Sequence, residues 1–148
     1  MESKKVSIQE DQNKNLSFIL HYRRMMEEIF KDEKVNPDFK KYIPLSYSLM
    51  TENQIIHGGA TGWMSYDFLL IETLWVDEAF RGKGQGRELL QKMEEEARKN
   101  HCYRILTSTN SSSGSLDFWK KNGFELVYTT EKSPNDFFIY YLQKILIS

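Results

Sequence analysis

The sequence predicts an α/β fold for residues 1–148, a single domain with a mixed central sheet of about six to seven strands flanked by helices. Three observations carry this. Phe68-Leu69-Leu70-Ile71-Glu72-Thr73-Leu74-Trp75-Val76 is a near-continuous apolar run, as in a central strand covered on both faces. A segment of helical periodicity, Gln85 to Asn100, follows it directly. Shorter alternating segments lie on either side of this pair.

Taken in order, Val6-Ser7-Ile8 alternates as a short strand. Between Leu16 and Phe30, apolar residues recur at Phe18, Tyr22, Met25 and Ile29, with a second row at Ile19, Met26 and Phe30, which is one broad helical face. Asn36-Pro37 opens a second short helix or turn that stops near Pro44. Leu45 to Met50 alternates as a strand, Glu52-Asn53 turns the chain, and a second strand runs from Ile55 through the small residues Gly58-Gly59-Ala60-Thr61-Gly62 to Trp63. Asp67 turns into the apolar run. In the helix that follows, Leu89, Leu90, Met93 and Ala97 share the inward face. Arg104 to Thr109 is the next strand, Asn110 to Gly114 a loop, and Leu116 to Asn122 a short helix ended by Gly123. Phe124 to Tyr128 and Phe137 to Leu142 form a final strand pair around Ser133-Pro134-Asn135-Asp136. The order is β-α-α-β-β-β-α-β-α-β-β.

Composition narrows the function classes. A net charge of −1, with Lys and Arg interspersed among acids, gives no basic stripe for nucleic acid. No apolar run reaches the roughly 20 residues needed to span a bilayer, and Met1-Glu2-Ser3-Lys4-Lys5 does not open a signal peptide. The expectation is a soluble cytoplasmic protein. The single cysteine, Cys102, excludes an intramolecular disulfide and fits a reducing compartment. It reads as a small apolar residue at a strand start, with only His101 beside it to support a nucleophile. His21, His57 and His101 lack metal-ligand spacing, so no metal is assigned.

The chemistry concentrates in Arg81-Gly82-Lys83-Gly84-Gln85-Gly86-Arg87, between the apolar strand and its helix. Glycines let backbone amides approach an anion without Cβ interference. The first helical turn adds unpaired N–H groups and the positive end of a dipole. Arg81, Lys83 and Arg87 favour a multiply charged phosphate ligand. A nucleotide P-loop is excluded because Arg87-Glu88, not Lys-Ser/Thr, follows Gly86. A dinucleotide fingerprint fails on glycine spacing and on its distance from the strand.

Arg81-x-x-Gly84-x-Gly86 after Leu74-x-Val76 resembles the coenzyme A loop of the GNAT N-acetyltransferases, whose pattern is Gln/Arg-x-x-Gly-x-Gly/Ala. Phe118-Trp119-Lys120-Lys121-Asn122-Gly123-Phe124-Glu125 resembles their second signature, at the family's usual separation. The likeness runs clearly from Tyr66 to Val127, and residues 1–50 match by layout only. It implies a GNAT-like fold and acetyl-CoA as cofactor. Arg81, Gly82, Lys83, Gly84, Gln85, Gly86 and Arg87 would then hold the pyrophosphate. A bulged, splayed central strand would offer the backbone of Leu74, Trp75 and Val76 to the pantetheine arm, with Asn110 touching that arm. Glu72 stands where many relatives carry an acid that deprotonates the amine; a structural or substrate-orienting carboxylate is the alternative. Trp119 replaces a tyrosine that protonates the leaving thiolate in many relatives, and an indole cannot serve as that acid; the resemblance then has Trp119 pack against the cofactor, or the proton come from water or another residue.

The implied activity is acetyl transfer to a primary amine of a small molecule by direct attack. A catalytically silent acyl-CoA-binding module or partner subunit is the alternative, and a protein or peptide amine a further one. The acceptor pocket is expected from Met25–Phe39, Gly58–Tyr66 and Ser133–Asp136, with Trp63, Tyr66 and Trp75 forming an aromatic wall or, equally, part of the core. The apolar end Ile145-Leu146-Ile147 suits either the last strand of the sheet or pairing in a homodimer.

Overall fold

The computed structural model describes residues 43–146. The strand expected at 6–8, the helix at 16–30, the turn at 36–37 and the acceptor segment at 25–39 lie outside them. Within them, β1 (Ile43–Met50), β2 (Ile56–Ser65) and β3 (Phe68–Val76) form an antiparallel meander. A 3-10 turn (Glu78–Phe80) leads into helix α1 (Gln85–Lys99). β4 (Arg104–Asn110), α2 (Leu116–Lys121), β5 (Glu125–Thr129) and β6 (Ile139–Ile145) complete a six-stranded sheet in the order β1-β2-β3-β4-β6-β5. The α1 crossover makes β3 and β4 parallel, whereas every other neighbouring pair is antiparallel.

Alternation decides what each face buries. In β1, Ile43, Leu45, Tyr47 and Leu49 point to one face and pack against the core, while Pro44, Ser46, Ser48 and Met50 are exposed. On the same core face, Leu69, Ile71 and Ile105 meet Leu90 and Met93 of α1, and Leu142 joins them from β6. All four residues predicted to face inward from α1 are buried. Each fully buried Leu, Ile or Met stabilises the fold by about 1.5–3 kcal/mol, so this cluster fixes α1 on the sheet. A fixed α1 in turn fixes the loop at its N-terminus.

Three sequence expectations shift. β3 is not buried on both faces throughout: Leu69 and Ile71 are buried, but Glu72, Thr73 and Trp75 are exposed. β6 begins at Ile139 rather than Phe137, because the amides of Phe137 and Phe138 bond to the hydroxyls of Ser133 and Ser111 instead of joining a ladder. Asn110 ends β4 rather than opening the loop.

Candidate active site

The site starts where two strands part. β3 and β4 pair only through Phe68, Leu69 and Leu70 opposite Arg104, Ile105 and Leu106. The buried Thr107 then closes the vertex, its Oγ1 donating to the Ile71 carbonyl at 3.1 Å. Beyond that point β3 stays with β2, and β4 stays with β6. The V between them opens into a cleft of about 1350 Å³ running from Glu72 past the glycine loop to Lys144. At the vertex, Thr61 faces Thr73 while Gly62 faces Ile71, so Glu72 is the extra residue of a β-bulge. A bulge re-aims its side chain. Here the Glu72 carboxylate accepts a 3.0 Å hydrogen bond from the indole N–H of the buried Trp63.

The glycine loop forms the other end. Gly82 (φ 83°) and Gly84 (φ 78°) adopt left-handed backbone that most side chains resist, and a Cβ on either would meet nothing within 4 Å. Gly84 is the N-cap of α1, and no side chain caps that terminus. The first-turn N–H groups therefore face open space beside Arg81 and Arg87, which also line the cleft. Gly86 has no left-handed backbone, and a Cβ there would make ordinary contact with the Phe118 ring at 3.5 Å. The loop is braced from behind. Arg81 Nε donates to the Val76 carbonyl at 2.8 Å. His57 Nδ1 lies 3.2 Å from Asp77 Oδ2, and the imidazole packs on Phe80 with ring centroids 4.0 Å apart. An uncapped helix terminus, two open glycines and two arginines in one cleft match a pyrophosphate.

The sequence profile of the acetyltransferase (GNAT) family matches residues 11–124. The chain belongs to the GNAT acetyltransferase family. It is 31% identical over 80 residues to an acetyltransferase of Agrobacterium fabrum, covering 54% of this chain and 58% of that protein. It is 36% identical over 80 residues to the glucosamine 6-phosphate N-acetyltransferase of Trypanosoma brucei brucei, covering 53% of this chain and 48% of that one. The chain thus spans about half the length of the curated relatives it matches. The crystal structure of an acetyltransferase from Bacillus cereus superimposes with a TM-score of 0.74 at 26% identity, covering 95% of this chain and 98% of that one.

Most of the residues expected at a GNAT site line the one cleft: Glu72, Leu74, Trp75, Val76, Arg81, Gly82, Gly84, Gln85, Gly86, Arg87 and Trp119. Two do not. Lys83 lies over the Phe80 ring, 5.8 Å from its centroid. Asn110 turns away to shape the following loop, its Oδ1 accepting from the amide and hydroxyl of Ser112. Trp119 is mostly core, edge-on to Phe124 at 4.9 Å and to Phe118 at 5.3 Å. The proposed aromatic wall is also divided. Trp63 is buried beneath Glu72, Tyr66 stacks on Phe68 at the far hairpin, and Trp75 alone stands exposed in the cleft.

The sequence reading missed a hydroxyl cluster on the β4 side, where Thr109 Oγ1 lies 2.7 Å from Ser113 Oγ and 2.5 Å from Ser115 Oγ. The alternating Thr107-Ser108-Thr109 and the serines after it were its visible trace. Also missed was Lys144, which lines the cleft and bonds Glu94 at 2.7 Å and the Asn122 carbonyl at 2.9 Å. Cys102 lies in the core outside the cleft, and burial pushes its thiol up to about 11. At pH 8 about one thiol in a thousand is then ionised. Alkylation of the folded protein at pH 8 is expected to run at least about 100-fold slower than in urea, and to accelerate as pH rises. Comparable rates in the two states would place the thiol at the surface.

Proposed function

We propose that this chain transfers an acetyl group from acetyl-CoA to a primary amine of a small molecule by direct attack. The observation that carries the reading is the alignment of three features in one cleft: a phosphate-ready loop, an unpaired strand edge and a bulged carboxylate. Arg81, Arg87 and the amides of Gly82, Gly84, Gln85 and Gly86 hold the pyrophosphate. The edge of β3 beyond Leu70 has no ladder partner towards β4, so its main chain receives the extended pantetheine arm as an added strand. The thioester supplies the acetyl group.

The chain's own contribution is then positional and electrostatic. A main-chain N–H between Thr73 and Val76 donates to the oxygen on which negative charge builds. Glu72, anchored by Trp63, takes the proton that the acceptor ammonium must lose before its nitrogen attacks. The new C–N bond forms as the C–S bond breaks, and the sulfur leaves as thiolate. Trp119 holds no transferable proton, so water in the open cleft protonates the thiolate.

Thermal unfolding with acetyl-CoA, CoA and ATP tests the cofactor half. A ligand that binds only the folded state raises the midpoint. The expectation is a rise with acetyl-CoA and CoA and little with ATP. No shift with either coenzyme would sink the reading.

A further inference from the structure

The face of the sheet opposite α1 carries hydroxyl and aromatic side chains next to Glu72. Register places Thr61 across from Thr73, and Gly59 across from Trp75, on this face, with Ser46 and Ser48 of β1 next in the same rows. The Thr61 and Thr73 hydroxyls are 2.5 Å apart, and Thr73, Ser46 and Ser48 are exposed. Trp75 is 43% exposed, and its indole lies across bare Gly59, where a Cβ would come within 3.4 Å of Nε1. The result is a flat aromatic plate reaching towards β1. At the vertex, Glu72 offers one carboxylate oxygen to Trp63, and among the described residues no donor meets the other. Across β1, β2 and β3 the only charged side chain is Glu72, with His57 the only other titratable group besides Tyr47.

Resting on the acetyltransferase reading, we propose that the acceptor is a hydroxylated cyclic amine free of acidic groups, that is, an unphosphorylated amino sugar or aminocyclitol. An aromatic plate receives the C–H face of a ring, and it also attracts a cation at its face. Neighbouring hydroxyls, each both donor and acceptor, suit ring hydroxyls rather than an aliphatic chain. The single carboxylate takes the ammonium that is to be acetylated. Exclusion is the sharper half of the argument. A phosphate or carboxylate on the acceptor would lie beside Glu72 with no cation on these three strands to balance it, and like-charge placement of this kind sets specificity by repulsion. The arginines of the glycine loop do not relieve this, because the pyrophosphate occupies them.

The test is thiol release at saturating acetyl-CoA with glucosamine against glucosamine 6-phosphate, cadaverine against lysine, and cyclohexylamine as a ring without hydroxyls. Glucosamine is expected to exceed its 6-phosphate and cyclohexylamine by at least about tenfold in kcat/KM, and also to exceed cadaverine. Cadaverine is expected to exceed lysine. Trp75→Ala is expected to raise KM for glucosamine by about tenfold while the acetyl-CoA midpoint shift is kept. Thr73→Val, which removes one hydroxyl at near-constant shape, should lower kcat/KM for glucosamine more than for cadaverine. An acidic partner that matches or beats its neutral counterpart overturns the inference. So does cadaverine as the best acceptor, an unchanged KM in Trp75→Ala, or an acetyl-CoA shift with no turnover of either sugar. Loss of the acetyl-CoA shift in the unaltered protein would instead remove the acetyltransferase reading beneath it.

Discussion

Gly84→Asp is expected to lower affinity for acetyl-CoA by about 100-fold or more, close to 2.7 kcal/mol, with the fold intact. The position admits a side chain, since a Cβ there would meet nothing within 4 Å. Its left-handed backbone (φ 78°, ψ 10°) costs an L-residue about 1–2 kcal/mol, and aspartate is among the residues that tolerate it best. The damage is electrostatic. A carboxylate at the N-cap would accept hydrogen bonds from the first-turn amides of α1, the same donors a pyrophosphate needs. Its negative charge would then face the ligand's. Gly84→Asn separates charge from size and backbone strain, and should lose no more than about tenfold, since it competes for the amides without repelling phosphate. Titration calorimetry with acetyl-CoA reads both variants. Wild-type affinity in Gly84→Asp would mean that the phosphates bind elsewhere.

The loop was legible because its chemistry is local. Strand end, glycine spacing and helix start all lie within Leu74 to Arg87, and each constrains the same short stretch of backbone. Helix α1 was legible for a similar reason: Leu89, Leu90, Met93 and Ala97 repeat at helical spacing, and all four are buried. What the residues alone could not disclose depends on partners distant in sequence. The apolar run of β3 has the composition of a doubly covered strand. β4 pairs with it only as far as Leu106, and beyond that point Glu72, Thr73 and Trp75 are exposed. Family resemblance anticipated the bulge and the splay; only register locates the bulge at Glu72, between the Thr61–Thr73 and Gly62–Ile71 pairs.

The aromatic residues show the same division. Trp63, Tyr66 and Trp75 are near one another in sequence but not in the sheet. The hairpin at Tyr66, whose φ is 55°, sends Trp63 and Trp75 along antiparallel strands to different levels of the sheet. Asn110 has a still more local role. Asparagine at a strand end bonds readily to the backbone two residues on, and Ser112 supplies both an amide and a hydroxyl there.

Glu72→Gln tests the chemistry where Gly84→Asp tests binding. The amide keeps the size of the carboxylate, and its carbonyl oxygen can still accept from Trp63, so the bulge and its anchor should survive. What disappears is the capacity to take a proton. The expected result is a fall in kcat of about 100-fold at neutral pH, with acetyl-CoA affinity unchanged. A second signature separates proton transfer from orientation. A primary amine reaches the site mostly as ammonium at neutral pH, and more of it arrives already neutral as pH rises. The deficit of Glu72→Gln should therefore narrow towards alkaline pH if Glu72 is the base. A carboxylate that only orients the ammonium predicts the opposite emphasis: KM for the amine rises, and kcat at saturation is spared. Because Trp63 fixes one oxygen of this carboxylate from below, Trp63→Phe should reproduce part of the kcat loss, and the two substitutions together should cost less than the sum of their separate effects. Additive losses would mean that the indole and the carboxylate, though in contact, act on the reaction separately.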